Sequence, residues 1–179
     1  MSNEVAAALA VLTQGIRTEL DGRRFYREAA ERVADPRAQR MFLSIAEDEE
    51  EHLRILRVQY DSLSGGGGWV DLEEAKAREP TGASLQLFSQ EKEAAERIIK
   101  PEMSDLDALK LGMEMEYQGY DMYTKASERG GLASQAVYRF LAGEESEHFA
   151  VLQKTHDYLA EKGSWFFWDL EKPLAEGPS

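Results

Sequence analysis

The stretch Ile45-Ala46-Glu47-Asp48-Glu49-Glu50-Glu51-His52 returns 96 residues later as Leu141-Ala142-Gly143-Glu144-Glu145-Ser146-Glu147-His148. In both copies an apolar pair is followed by Glu-x-x-His, and residues three apart share one face of a helix. Extending the helical period gives an inward stripe of Phe42, Ile45, Ala46, Glu49, His52, Leu53 and Leu56. The second copy gives Tyr138, Leu141, Ala142, Glu145, His148, Phe149 and Leu152. A charge run such as Glu47–Glu51 is ordinarily a solvated helix face. That reading suits Glu50 and Glu51, whereas Glu49 falls on the apolar stripe.

The repetition extends outward. An offset of 97 carries Gly15, Glu19, Gly22, Tyr26 and Ala29 onto Gly112, Glu116, Gly119, Tyr123 and Ala126. Polar identities at a fixed offset mark an internal duplication. The first helical stretch runs from Asn3 to Val33, and Asp35-Pro36 supplies a cap and a first-turn proline for a second, ending near Leu63. So short a connection makes the pair an antiparallel hairpin. Gly65-Gly66-Gly67-Gly68 closes it, and one short helix is expected within 84–100 of the connecting segment. Ser104 and Asp107 open a third helix to Arg129, and Gly130-Gly131 is the turn. Ser134 is the expected N-cap of a fourth helix ending near Lys162-Gly163. The expected fold is all-α: an antiparallel four-helix bundle over 1–163, built from duplicated hairpins 3–63 and 105–162. Its crossover is 64–104, and 164–179 form a tail.

Glu19 lies between Ile16 and Tyr26 on the inward face, and Glu116 lies between Met113 and Tyr123. Four carboxylates and two imidazoles therefore point into one apolar interior. Unpaired, the carboxylates would cost more than the net stability of a domain, and no inward Lys or Arg offsets four. Two divalent metal ions would bring the charge of the carboxylates to zero. Oxygen and imidazole ligands without sulfur favour iron or manganese, with zinc as a redox-inert occupant.

Composition narrows the field. The chain has 179 residues, 34 Asp and Glu against 21 Lys and Arg, and a formal charge of −13. That field repels phosphate backbones and anionic lipid, so no nucleic-acid partner is expected. Zero Cys excludes disulfides, thiolate zinc sites and iron–sulfur clusters. With no run of 18 apolar residues and no signal-peptide pattern at its start, a soluble cytoplasmic protein without membrane insertion is expected. Trp165-Phe166-Phe167-Trp168 reads as a bundle cap or dimer contact rather than a membrane contact, and a homodimer is the expected assembly.

On Glu19 with Tyr26, Glu49-Glu50-Glu51-His52, Glu116 with Tyr123, and Glu145-Ser146-Glu147-His148, the chain resembles the ferritin-like superfamily and, within it, the rubrerythrin family. The resemblance implies that Glu49 and Glu145 bridge two irons, with Glu19, His52, Glu116 and His148 as terminal ligands. It also implies reduction of peroxide or O2, or oxidation of Fe2+. Rubrerythrins usually carry a cysteine-ligated iron that feeds electrons inward. Without Cys, this chain needs an external electron-donor protein. Many also carry an extra glutamate where Met113 stands, so His148 is expected to stay a ligand in both oxidation states and the site to be nearly symmetric. A non-catalytic iron-binding or delivery protein, or a structural bundle with a degenerate site, are the other readings. Tyr26 and Tyr123 either fill the core or hydrogen-bond a ligand carboxylate. Gly22 and Gly119 either permit close helix packing or leave room for the oxidant. His156, paired with Tyr60 by the duplication, reads as a surface or partly packed residue.

Overall fold

The computed structural model describes residues 2–88 and 97–165. Four long helices, α1 (Asn3–Arg32), α2 (Pro36–Ser64), α5 (Asp105–Arg129) and α6 (Leu132–Lys162), enclose the core. Two short ones, α3 (Leu72–Ala77) and α4 (Ala83–Leu87), lie in the crossover. The described residues are helical and contain no strand, as expected for a ferritin-like bundle.

The helix ends follow local chemistry. Ser2 accepts from the Val5 N–H, and Asp35 accepts from the Arg37 N–H with Pro36 in the first turn. Ser104 and Asp107 form the reciprocal capping box. Gly163, at φ +67°, closes α6 in the left-handed conformation that glycine adopts without steric cost. Ser134 does not cap α6. The helix starts at Leu132 with Gly131 in the cap position. The Ser134 hydroxyl, already within the first turn, donates back to the Gly131 carbonyl at 2.8 Å.

Among the described residues of the crossover, α4 overlaps the start of the stretch expected to be helical, and α3 lies ahead of it where no helix was expected. Asp71 caps α3 through the Glu73 N–H, while Asp61 of α2 accepts from the N–H groups of Gly82 and Ser84 at 2.9 Å, holding the start of α4. Helices of six and five residues are too short to show a period. The part of the expected helix over 89–96 lies outside the described residues.

Antiparallel α1 and α2 pack along their length, as do α5 and α6, and α1 meets α5 across the middle. Two apolar clusters fill the interior. One gathers Leu12, Ile16, Leu53, Leu56, Tyr123, Val137 and Leu141, the other Phe25, Tyr26, Ala29, Phe42, Ile45, Leu109 and Leu152. Along every long helix the inward ionisable residues fall between these clusters. The duplication survives in the packing. Tyr26 stacks on Phe42 and Tyr123 on Tyr138, both at 6.2 Å between centroids. Trp165 meets Phe42 edge-on, and Trp69 meets Tyr138. The other members of the expected aromatic cap, Phe166, Phe167 and Trp168, lie outside the described residues. Among the described residues, no helix is long and apolar enough to cross a membrane.

Candidate metal centre

Each long helix contributes from its middle turns: Glu19 from α1, Glu49 and His52 from α2, Glu116 from α5, and Glu145 and His148 from α6. All six are buried. They divide into two overlapping groups, Glu19 with Glu49, His52 and Glu145, and Glu116 with Glu49, Glu145 and His148. Within each group one ligand-type atom per residue lies within 4.8 Å of all the others. Glu49 and Glu145 belong to both, so they stand between two adjacent positions.

The imidazoles face inward through Nδ1. His52 Nδ1 is 3.4 Å from Glu19 Oε2, 3.5 Å from Glu49 Oε2 and 3.8 Å from Glu145 Oε1. His148 Nδ1 is 3.6 Å from Glu116 Oε2 and 3.8 Å from Glu49 Oε1. Four of these atoms, Glu49 Oε2, Glu145 Oε1 and both Nδ1, are buried without a hydrogen bond. A buried polar atom left unpaired costs about 1–3 kcal/mol. Four converging on one space, in a set of oxygen and imidazole donors without sulfur, is the arrangement that a pair of transition-metal ions satisfies. The residues present fit such a pair.

Electrostatics point the same way. Burial, then the negative charge of Glu19, pushes the Glu49 carboxyl well above the usual range, and burial with Glu19 and Glu116 does the same to Glu145. Burial also opposes ionisation of Glu19, but the adjoining Glu49 carboxyl and His52 imidazole outweigh it and hold Glu19 at about 2. Burial lowers His148, yet Asp48 and Glu116 outweigh it and carry it up to about 9. His52 is raised against its burial by Glu19. Without metal, the cluster therefore holds itself together by retaining protons.

The tyrosines settle which carboxylate each one meets. Tyr26 of α1 donates to Glu116 Oε1 on α5, and Tyr123 of α5 donates to Glu19 Oε1 on α1. Each hydroxyl thus serves the opposite hairpin, leaving Oε2 of the same carboxylate toward the imidazole. Tyr26→Phe or Tyr123→Phe should lower the stability of the metal-loaded protein by about 1–3 kcal/mol, because a buried carboxylate oxygen loses its donor. At roughly 2–4 °C per kcal/mol the loss is visible in a thermal melt. An unchanged melt would mean that these rings only fill space.

The glycines have a specific neighbour. A Cβ at Gly22 would stand 3.3 Å from Glu49 Cδ, and one at Gly119 would stand 3.1 Å from Glu145 Cδ. They clear space for the two shared carboxylates. Met113 is partly buried against the second apolar cluster, and Glu114 is exposed. His156 is partly buried beside Asp157, 3.1 Å away and apart from both groups. One residue in contact with the site was not singled out by the sequence. Asp48 Oδ2 lies 3.2 Å from His148 Nε2, reaching from α2 to α6. The Glu47–Glu51 run concealed it, since nothing in the period separates a solvated Asp from one that touches a neighbouring helix.

The rubrerythrin family model matches residues 10–156, a span holding all six converging residues. This chain belongs to the rubrerythrin family. No curated protein matches the sequence significantly. Among solved structures, a hypothetical protein from Pyrococcus furiosus is similar at 19% identity, with a TM-score of 0.58. The similarity covers 86% of this chain and 90% of that one. At that identity the likeness speaks for the fold alone. Family membership and the two Glu/His groups together support a metal-binding rubrerythrin, and with no Cys the chain has no rubredoxin-type iron site of its own.

Proposed function

We propose that this rubrerythrin is a non-haem di-iron oxidoreductase that reduces peroxide or O2, with oxidation of Fe2+ as the related activity of the same centre. The observation that carries it is the pair of overlapping four-residue groups sharing Glu49 and Glu145, with four orphaned polar atoms between them. In this reading Glu49 and Glu145 would serve both metals, Glu19 and His52 would complete one position, and Glu116 and His148 would complete the other. Two bound irons would bind and polarise the oxidant and supply one electron each.

The chain's own residues prepare that chemistry. Tyr26 and Tyr123 each hold one oxygen of a terminal carboxylate and so fix the direction of the other. The apolar clusters on either side restrict water, which strengthens every charge interaction between them. Peroxide needs two electrons and two protons to become two waters. With no cysteine in the chain, the electrons for repeated turnover come in this proposal from a separate donor protein.

The test combines metal analysis with turnover. Iron-supplemented protein should hold two irons per chain. After reduction, and without a donor, it should consume at most one peroxide per chain; adding a reducing dye or donor protein should make consumption continuous. Well under one iron per chain would end the di-iron reading. Two irons without donor-dependent turnover would make the protein an iron carrier, and continuous peroxide loss without a donor would indicate catalase chemistry.

A further inference from the structure

The duplication that pairs Glu19 with Glu116 and His52 with His148 also pairs Asp48 with Glu144. At this point the two halves diverge. Asp48 Oδ2 sits 3.2 Å from His148 Nε2, whereas among the described hydrogen bonds none joins Glu144 to His52, whose ring Glu144 reaches only through its charge. The His52 ring instead meets Phe140 edge-on, at 6.2 Å between centroids and 88° between planes. Asp and Glu differ by one methylene, and both residues are partly exposed. The difference therefore lies in where each carboxylate arrives, not in whether it is charged.

The bond joins two different helices. Asp48 immediately precedes Glu49 on α2, while His148 projects from α6, so one residue supplies a shared ligand and its neighbour grips an imidazole from across the bundle. An acceptor on Nε2 keeps the proton there and leaves the Nδ1 lone pair toward Glu49 and Glu116, the direction in which Nδ1 lies unpaired. It also holds the ring against rotation about its side-chain bonds. Such an outer partner fixes the tautomer and makes the ring a stronger donor.

We infer that Asp48 is a positioning residue for His148 and makes the two metal positions unequal, the Glu116/His148 position being the tighter and the first to fill. This inference rests on the di-metal reading of the centre. It departs from the near-symmetric site that the six ligand-type residues alone suggest. The asymmetry comes from a residue outside that set.

Cobalt(II) alone, titrated into the metal-free full chain and followed by its visible absorption and by calorimetry, tests the inference. Wild type should take up two ions with separable affinities. Asp48→Ala should weaken the tighter one by about 10–100-fold and leave the other unchanged. Asp48→Asn keeps an accepting oxygen and should recover most of the loss, and Glu144→Ala should alter neither affinity. Nitrogen-15 NMR of the zinc-loaded protein supplies a readout independent of affinity. His148 should carry its proton on Nε2, perturbed by the first equivalent of zinc, and Asp48→Ala should lose that fixed tautomer.

A wild type that binds two ions while Asp48→Ala binds them unchanged, or weakens both equally, overturns the inference and leaves the di-metal reading standing. An equal loss in Glu144→Ala overturns it as well. A wild type that binds no divalent ion removes both.

Discussion

Stripped of metal, the protein should melt roughly 20 °C below its loaded form at pH 7, and the gap should narrow steadily toward pH 5. An ion present at a thousandfold excess over its dissociation constant stabilises the native state by about 4 kcal/mol. For two ions, at roughly 2–4 °C per kcal/mol for a chain of this size, the expected gap follows. The pH dependence follows from the metal-free cluster. Glu49 and Glu145 are raised above their unfolded values, chiefly by burial, so the stability they contribute is present when protonated and is lost as pH rises. His148, at about 9 against an ordinary 6.5, contributes fully below 6.5 and loses its contribution as pH rises through 9. The raised His52 acts in the same sense. Glu19, at about 2, acts oppositely, but only below the ordinary carboxylate range of 4.5. Between pH 5 and 8 the metal-free protein is therefore most stable at the acid end. The loaded protein moves the other way, because protons compete with metal for the same atoms. Calorimetric melts of both forms across this range check the claim, and a constant gap would contradict it.

Glu49→Gln should show the opposite signs of stability and binding in one variant. Glu49 belongs to both groups, so its loss should abolish stable binding at both positions, whereas Glu19→Gln should impair only the position completed by His52. Yet the metal-free variant should be more stable than metal-free wild type at pH 7. The carboxylate it removes is held far above its usual range by burial and by Glu19, and the amide is uncharged at any pH. The roughly 20 °C gain on metal addition should vanish while the metal-free melting temperature rises by a few degrees. Metal analysis after dialysis, with paired melts, decides it. Two tightly held irons in Glu49→Gln would show that the shared carboxylates are not shared.

The hairpins, their turns and the six converging residues were legible because each rests on a period or an offset within one helix. Glu49 could be told from Glu50 and Glu51 since only it continues the stripe through Ile45, His52 and Leu56; in the structure it is buried while Glu50 pairs with Arg23 at the surface. What the period could not supply was any relation between helices. It placed Tyr26 and Tyr123 near a carboxylate but not on the one of the opposite hairpin, which depends on how α1 crosses α5. Asp48 was hidden for the same reason. In α3 and α4 the governing contacts are tertiary: the buried Ala75, and the Asp61 carboxylate that accepts at the start of α4. At α6, Ser134 carries the side-chain signature of a cap, but the extended backbone of Gly131 takes that place first.

The exchange of tyrosine hydroxyls between hairpins bears on how the chain assembles. Each hairpin can form from contacts close in sequence, and such contacts form early. Neither holds a complete metal position, since the first group takes Glu145 from the far hairpin and the second takes Glu49 from the near one. Each also relies on the other to satisfy a terminal carboxylate. Metal therefore has nothing complete to bind until the halves have met, and the meeting itself presses four carboxylates together. A bound ion would act at the end of folding, as a clasp on two preformed halves rather than a seed for either. A single hairpin would need a second copy of itself to assemble either complete four-residue group.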